Sequence, residues 1–222
     1  MSRNTRKKFK SNSQESVRMF KSNLLEPLSK VHYTVPLFLF IPVILYCLYR
    51  CLNAGLWWWE YLVTFIIGLV VWTLTEYIMH RYVFHCELPG EIGKRLHFII
   101  HGVHHDYPSD RLRLVMPPSL SIPLAIGFYY FFRFIIPLSY FWCFFAAFLI
   151  GYLVYDIGHY AMHHFNFKSG IFKRIKQHHM LHHYQQPEKG YGVSSPLWDH
   201  ILGSVFDKAQ SVKTDLPRGI RK

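Results

Sequence analysis

Histidine is the most unusual feature of this 222-residue chain. The sequence contains 15 histidines but only 13 aspartates and glutamates. Thirteen of the histidines lie between His80 and His183, in spaced clusters. Neutral imidazole is a good ligand for zinc, iron, copper and nickel. The clustering therefore predicts a metal site, with a pH-sensing histidine cluster as the alternative.

The pattern His-x-x-His-His occurs twice, and two further histidine pairs accompany it. Residues three and four positions apart share one face of a helix, so each triplet is predicted to converge on one point. The triplets and pairs are His101, His104 and His105; His179, His182 and His183; His80 and His85; and His159 and His163. Ten imidazoles exceed what one ion can use. The spacing therefore predicts two ions with four or five ligands each.

Acidic residues near these histidines are candidates to support them. A ligating imidazole usually donates its other N–H to a carboxylate or a carbonyl. The nearby acids are Glu76, Asp106, Asp156 and Asp199. Each is equally consistent with an ordinary capping or surface residue.

Four apolar segments are long enough to hold the histidines at a membrane. They comprise residues 34–51, 57–79, 118–137 and 139–158. Helices of this length span about 27–35 Å, which matches a hydrocarbon core. The short connections within the first and second pair predict two hairpins. We therefore predict an all-α integral membrane protein, with residues 31–222 as a single membrane domain and residues 80–117 and 159–222 as a cytosolic helical cap.

Basic residues orient the four segments in the membrane. The formal net charge is +12, and 51% of the residues are hydrophobic. Of the 25 lysines and arginines, eight precede the first segment, five lie in residues 80–117, ten follow residue 158 and one lies at each hairpin tip. The positive-inside rule therefore predicts cytosolic termini. Residues 1–30 are predicted to be a basic cytosolic arm with Phe9, Met19 and Phe20 as candidate lipid contacts, and no nucleic-acid partner is needed to explain the charge.

The histidine motifs together resemble the fatty acid hydroxylase/sterol desaturase superfamily. The matching stretches are residues 76–85, 97–105, 155–164 and 179–199. Residues 112–118 and 189–195 are similar to stretches in fatty acid 2-hydroxylases, the branch that acts on sphingolipid acyl chains. In order along the chain, the resemblance covers about residues 72–206.

The resemblance implies a dinuclear metal centre. Its ligands would be His80, His85, His101, His104, His105, His159, His163, His179, His182 and His183. Tyr155 and Asp156, beside the third motif, are expected to position the substrate or relay a proton. His97 is expected to be a supporting residue rather than a ligand, and His164 and His178 are likewise left out of the ligand set. Iron is the metal expected in the active enzyme, and zinc can occupy the same imidazole sites.

By the same resemblance, the expected activity is hydroxylation of C2 of long-chain fatty acyl groups, with ceramide-type lipid as substrate. Such a monooxygenase uses O2 and two external electrons. The sequence contains no His-Pro-Gly-Gly haem motif, so a separate donor of cytochrome b5 or ferredoxin type is the expected partner. The expected location is the endoplasmic reticulum for a eukaryotic source and the inner membrane for a bacterial one.

Other functions explain fewer of these features. A sterol or other lipid oxidase or desaturase of the same superfamily is the alternative enzyme. A metal transporter would need ligands near the middle of the membrane, where the apolar segments have almost none. A haem electron carrier would need facing histidines and would leave most of the clusters without a role.

Overall fold

The computed structural model describes residues 10–207, so that Phe9 lies outside the described residues. Within that range the regular structure is entirely helical, as predicted. The helices are α1 (Val35–Leu52), α2 (Trp58–Ile78), α3 (Gly90–His97), α4 (Val103–Asp106), α5 (Pro118–Ile135), α6 (Leu138–His164), α7 (Gly170–Tyr184) and α8 (Leu197–Ile201). Two π-helical turns, Met79–Phe84 and Phe98–Gly102, follow α2 and α3 directly. A short 3₁₀ turn comprises Pro27–Ser29.

Four helices are long and apolar enough to cross a membrane, namely α1, α2 with its π-helical turn, α5 and α6. The chain is therefore a membrane protein with four candidate spans, which confirms that expectation. Proline sets two of the ends, because α5 begins at Pro118 and Pro137 separates it from α6. A proline at a helix start lacks only an N–H that would have no partner in the helix. At its other end α6 continues to His164, six residues beyond the predicted boundary.

Helix α6 is the centre of the bundle. Of its most apolar 18-residue window, 72% is buried, compared with 28% for α1, 28% for α2 and 11% for α5. It packs against all three of these helices through aromatic side chains such as Phe148 and Tyr152. Trp72 of α2 meets both rings edge-on. The arrangement in two hairpins stays a prediction, whereas the central position of α6 is observed.

Small residues allow α2 and α6 to approach closely. A Cβ atom on Gly68 would lie 2.5 Å from the carbonyl oxygen of Phe144, and one on Gly151 would lie 2.5 Å from the Trp72 ring. Small residues commonly occupy such contacts in membrane bundles, since close packing replaces the hydrophobic effect there. The two glycines therefore set the distance between the helices that lead into the histidine clusters.

Residues 10–33, here called the N-terminal segment, are attached to the cap. The backbone N–H of Ser11 donates to the carbonyl of Asp106, and that of Val31 donates to the carbonyl of Leu112, both at 2.8 Å. The described part of this segment is therefore packed against the cap rather than free. Its hydrogen-bond partners lie about 80 to 95 positions away in the sequence, and a local sequence pattern does not reveal contacts at that separation.

Candidate metal centre

The ten predicted ligand histidines lie together in two groups of five. The first group contains His80, His85, His101, His105 and His182, and the second contains His104, His159, His163, His179 and His183. Within each group, one ring nitrogen of every histidine lies within 4.8 Å of the others. The structure thus brings together side chains from α4, α6, α7 and both π-helical turns, with His85 directly after the first of these turns.

A π-helical turn brings His80 and His85 into the same group. The two residues are five positions apart, a spacing that an ordinary α-helix places on different faces. The π-helix has i to i+5 hydrogen bonds, and the backbone N–H of His85 donates to the carbonyl of His80 at 3.2 Å. The Nε2 atoms of the two rings lie 3.3 Å apart as a result.

Each His-x-x-His-His triplet contributes to both groups, so the prediction that a triplet converges on one point was wrong. His101 and His105 belong to the first group, whereas His104 belongs to the second. Around a helix, position i+4 is rotated by about 40° from position i in one direction, and position i+3 by about 60° in the other direction. The second triplet divides in the opposite sense, since only His182 joins the first group. Shared triplets therefore hold the two groups side by side.

Backbone carbonyls determine which nitrogen of two histidines faces the first group. The Nδ1 atom of His80 lies 2.6 Å from the carbonyl oxygen of Tyr191, and that of His182 lies 2.6 Å from the carbonyl oxygen of Lys189. A carbonyl oxygen only accepts, so both Nδ1 atoms carry the proton. Both Nε2 atoms therefore direct a lone pair at the interior of the group.

The crowding of these nitrogens fits a bound cation. The Nε2 atom of His80 lies 3.1 Å from that of His101, and the Nε2 atom of His182 lies 3.1 Å from that of His85. Lone pairs facing one another at this distance repel unless a proton or a metal ion lies between them. The five rings do not carry enough N–H protons to place one between every pair of facing nitrogens. One metal ion, in contrast, can accept a lone pair from each ring.

The second group contains buried nitrogens that lack a partner among the described residues. These atoms are both ring nitrogens of His104, Nε2 of His159 and the Nδ1 atoms of His179 and His183. Buried polar atoms are nearly always hydrogen-bonded, and an ion binds one nitrogen of each ring, so the unpartnered Nε2 atom of His159 and one nitrogen of His104 fit a bound ion. The Nε2 atom of His179 lies 2.9 Å from that of His163 and 3.0 Å from that of His183. The donor set of this group also fits a metal ion.

Burial keeps the cap histidines in the neutral form that metals bind. Burial, with the neighbouring imidazoles, lowers the pKa well below the usual value for His101, His104, His105, His179, His182 and His183. A neutral imidazole has a free lone pair, so no proton needs to be displaced at neutral pH.

Glu76 supports this centre through the backbone of a loop. Its Oε1 atom accepts hydrogen bonds from the N–H groups of Val193 and Ser194, both at 2.8 Å. Its Oε2 atom accepts the Ser194 hydroxyl at 2.6 Å. A contact of Glu76 with a ligating imidazole, which its position near His80 made a candidate, is not among these hydrogen bonds. Instead, the carboxylate fixes residues 189–195, whose carbonyls orient His80 and His182.

Asp199 holds the same loop from the other side. It accepts the N–H groups of Tyr191 at 2.8 Å and Gly192 at 2.9 Å, and the hydroxyl of Ser204 at 2.7 Å. Although burial opposes ionisation, these bonds and the contact with His178 lower the pKa of Asp199. The family resemblance singled out residues 189–195, but the orientation of His80 and His182 by their carbonyls was not foreseen, and Gly192 is the sequence signal for the close contact with Asp199. A Cβ atom there would lie 2.9 Å from Asp199 Oδ2, so only glycine allows the approach.

Tyr155 and Asp156 lie beside the second group without a direct hydrogen bond to its histidines among the described residues. The Tyr155 ring stacks on His159 with centroids 5.8 Å apart. Asp156 accepts the N–H of Met116 at 3.0 Å and the hydroxyl of Tyr152 at 3.2 Å, so it fixes the chain just before α5. Both residues line a cleft at the metal centre. Their catalytic role stays a prediction.

His97, His164 and His178, which were left out of the ligand set, lie outside both groups. His178 contacts Asp199 at 3.1 Å, and His164 packs against the Tyr160 ring with centroids 4.6 Å apart. His97 lies against Gly102, where a Cβ atom would be 3.2 Å from its Nδ1 atom. Asp106, the remaining candidate acid, accepts the N–H of Ser11 through its carbonyl.

Two adjoining cavities lead to the histidines. The first, here called the cleft, has an empty volume of about 970 Å³ including its open mouth, and His101, His104 and His159 form part of its lining. The second, here called the span cavity, is almost wholly apolar and is lined by residues of α1, α2, α5 and α6. Phe84 and Tyr155 line both. The arrangement places an almost wholly apolar cavity next to the candidate metal centre.

Comparison with known proteins identifies a consistent set of relatives. The profile of the fatty acid hydroxylase family matches residues 65–204. A dihydroceramide fatty acyl 2-hydroxylase of Arabidopsis thaliana is 34% identical, over 87% of this chain and 81% of its own length. A ceramide very long chain fatty acid hydroxylase of Schizosaccharomyces pombe is 38% identical, over 86% of this chain and 57% of its own length.

A solved structure shares the fold. It is described as full-length scs7p with only the hydroxylase domain visible, and it matches with a TM-score of 0.78 and 36% identity. The match covers 83% of this chain and 70% of that one. This chain spans a little over half the length of several relatives, including the human fatty acid 2-hydroxylase, of which 59% is covered.

Proposed function

Because this chain belongs to the fatty acid hydroxylase family, we propose that it hydroxylates C2 of long acyl chains in ceramide-type lipids. Relatives from a plant and two yeasts bear the names of dihydroceramide or ceramide fatty acyl hydroxylases. The observation that carries the proposal is the pair of five-histidine groups, opening onto the cleft that adjoins the span cavity. A sterol oxidase of the same superfamily is not favoured by these relatives.

Each five-histidine group would hold one metal ion, and we assign iron to the active enzyme. A redox-active ion supplies the activation of O2 that side-chain acids and bases lack. The protein's own contribution is to present neutral imidazoles in a fixed arrangement, with His80 and His182 held by backbone carbonyls. Zinc fits the same donors and is expected to compete for the sites in vitro.

The cavities position the acyl chain and exclude water. The span cavity is lined by apolar groups such as Trp72, Phe128 and Leu149, so it favours hydrocarbon over solvent. Its junction with the cleft lies at Tyr155, next to His159 of the second group. A chain seated there would present the carbon nearest its polar end to the histidines. Tyr155 is proposed to position that end of the acyl chain. Asp156 is proposed to fix the polypeptide backbone around Met116.

The same arrangement orients the protein in its membrane. We propose that the cap and both termini are cytosolic, because all the lysines and arginines that the structure describes, except Arg50 and Arg133, lie in the N-terminal segment or in the cap. The membrane would be that of the endoplasmic reticulum in a eukaryote or the inner membrane in a bacterium. Two electrons per turnover are proposed to come from a donor of cytochrome b5 or ferredoxin type.

Lipid analysis of an expressing host tests the proposal. With an electron donor present, the intact chain should produce 2-hydroxylated ceramide, detected by mass spectrometry. His104→Ala and His182→Ala, one from each group, should abolish it, whereas His200→Ala, at an exposed position outside both groups, should not. Absence of 2-hydroxylated lipid from the intact chain would refute the substrate. Activity retained in both group variants would refute the metal mechanism.

A further inference from the structure

Arg113 locks the middle of the N-terminal segment onto the cap. Its side chain is only 2% exposed. The guanidinium donates to Glu26 Oε1 at 2.7 Å and to the Ser29 hydroxyl at 2.8 Å, and it contacts the carbonyl of Val17. Its Nε atom lies 3.3 Å from Asp110. A buried guanidinium is stabilised by charged partners and by hydrogen bonds from its terminal nitrogens, and here most of these partners lie in the N-terminal segment, which is therefore an integral part of the cap.

Glu26 then shapes the chain inside the segment. Its Oε2 atom accepts the backbone N–H groups of both Met19 and Phe20 at 2.9 Å. Burial opposes the charge, but these two bonds and the charge of Arg113 lower the pKa of Glu26 to about 2. The carboxylate is therefore ionised at neutral pH, and it holds the turn that carries Met19 and Phe20.

The side chains presented by this turn and by the following residues form a wall of the cleft. The segment's apolar lining residues are Met19, Phe20, Leu25 and Leu28. Leu25 is 46% exposed and Leu28 is 56% exposed, so much of their apolar surface faces open space rather than protein. His101, His104 and His159 line the same cleft. Hydrocarbon lying against this wall would be close to both histidine groups.

Two cavities thus lie beside the histidine groups, and each offers apolar side chains to a hydrocarbon chain. The span cavity runs between the four long helices, and the cleft runs beneath the N-terminal segment. The two share Phe84, Met116 and Tyr155. One hydrocarbon chain needs only one such path, and a free fatty acid would leave the second path without an occupant.

An N-acylated long-chain base needs two paths that diverge beside the reacting carbon. Its amide joins the acyl chain to the base, and C2 of the acyl chain is the carbon next to that amide. We propose that the acyl chain enters the span cavity while the hydrocarbon chain of the base packs against Met19, Phe20, Leu25 and Leu28. The N-terminal segment is then the wall that selects an intact two-chain lipid over a free acid. This inference rests on the proposed function.

Narrowing the wall tests the assignment. Leu25→Trp should raise KM about tenfold for a lipid with a full-length base and leave kcat nearly unchanged, because bulk is added only along one path. A lipid with the same acyl chain but a truncated base should be unaffected. Leu24→Trp is the matched control, since Leu24 is 79% exposed and does not line the cleft.

The outcomes separate the two chains of the substrate. An equal rise in KM for both lipids, no rise for either, or the same effect from Leu24→Trp would overturn the assignment. A rise in KM that depended instead on the length of the acyl chain would show that the two chains occupy the opposite paths, which would also overturn the assignment.

A binding measurement separates this inference from the proposed function. A ceramide with a photoactivatable group on its base is cross-linked to the zinc-loaded protein, which needs no turnover. Adducts mapped to residues 19–28 and reduced by Leu25→Trp would support the wall even if no lipid were hydroxylated. Adducts found only on residues outside the N-terminal segment would overturn it.

Discussion

A histidine in this site becomes a ligand through what its second nitrogen contacts. His80 and His182 each donate Nδ1–H to a loop carbonyl, so Nε2 is the nitrogen left to bind. Those carbonyls belong to a loop that is itself held by the carboxylates of Glu76 and Asp199. The hydrogen bonds of these two acids thereby fix the orientation of the two imidazole rings, and the hydrogen bonds of Glu76 go to the loop rather than to the rings.

Removing Glu76 should therefore weaken metal binding in the first group. Glu76→Ala leaves the buried N–H groups of Val193 and Ser194 without an acceptor, at about 1–3 kcal/mol each. As the loop shifts, metal affinity should fall about 10–100-fold. Metal content after dialysis against graded chelator measures the loss. Glu91→Ala, at a side chain 89% exposed, is the control, and wild-type retention of both ions in Glu76→Ala would contradict the role.

At the scale of helices, α2 and α6 carry the centre because they approach closely and extend beyond the apolar core. His80 lies on the π-helical turn that follows α2, His85 comes directly after that turn, and His159 and His163 lie in the last turns of α6. Gly68 and Gly151 remove the Cβ atoms that would keep these helices apart. The separation of the helices therefore bears directly on the two histidine groups.

A side chain at position 151 should damage both packing and metal content. Gly151→Leu would place its Cβ 2.5 Å from the Trp72 ring, so α2 and α6 must separate. Overpacking of this kind costs about 1–3 kcal/mol, and thermal unfolding in detergent should show it. Gly127→Leu is the matched control, because nothing lies within 4 Å of a Cβ there. Equal stability of the two variants would show that the close contact is unimportant.

Attachment of the N-terminal segment should not change across the neutral pH range. The pKa of Glu26 is lowered from 4.5 to about 2 in the folded protein. The ionised carboxylate therefore stabilises the attachment fully above pH 4.5, and this stabilisation is lost as the pH falls through about 2. Limited proteolysis within residues 10–33 should thus be constant above pH 4.5. Glu26→Gln should increase cleavage at every such pH, whereas the exposed Glu15→Gln should not. A pH-dependent release in this range would mean that another group controls the attachment.

For the molecule as a whole, charge and chemistry lie at the same end. Within the part of the chain that the structure describes, the ligand histidines and all lysines and arginines except Arg50 and Arg133 lie in the N-terminal segment or in the cap. The only basic residue near the connection between α1 and α2 is Arg50. Anionic lipid attracts such a surface, and an acyl chain can extend from the cap into the span cavity. The orientation in the membrane thereby decides which leaflet supplies the lipid.

Cysteine labelling tests that orientation. Cys86 is exposed, whereas Cys47, Cys51 and Cys143 are buried, so a membrane-impermeant maleimide should label the natural chain only from the cytosolic side. Asn53→Cys in a Cys86→Ser background moves the thiol to the opposite end of α2 and should be labelled only from the other side. Labelling of both thiols from one side would refute the proposed topology.

Local patterns in the sequence were enough to predict the four apolar helices and the histidines that gather at their ends. Hydropathy acts over about 20 residues and helical spacing over four, so neither needs distant contacts. The family resemblance specified which ten of the histidines belong to the set, and the structure brings all ten into two groups.

Only the tertiary structure decided how these pieces combine. The division of each triplet between two groups depends on where α2, α6 and α7 meet, which the spacing within one helix does not specify. Glu76 reaches Ser194 across 118 positions, and Arg113 reaches Glu26 across 87. Such contacts form because buried charges must find partners, and packing of the whole chain selects which partners are within reach.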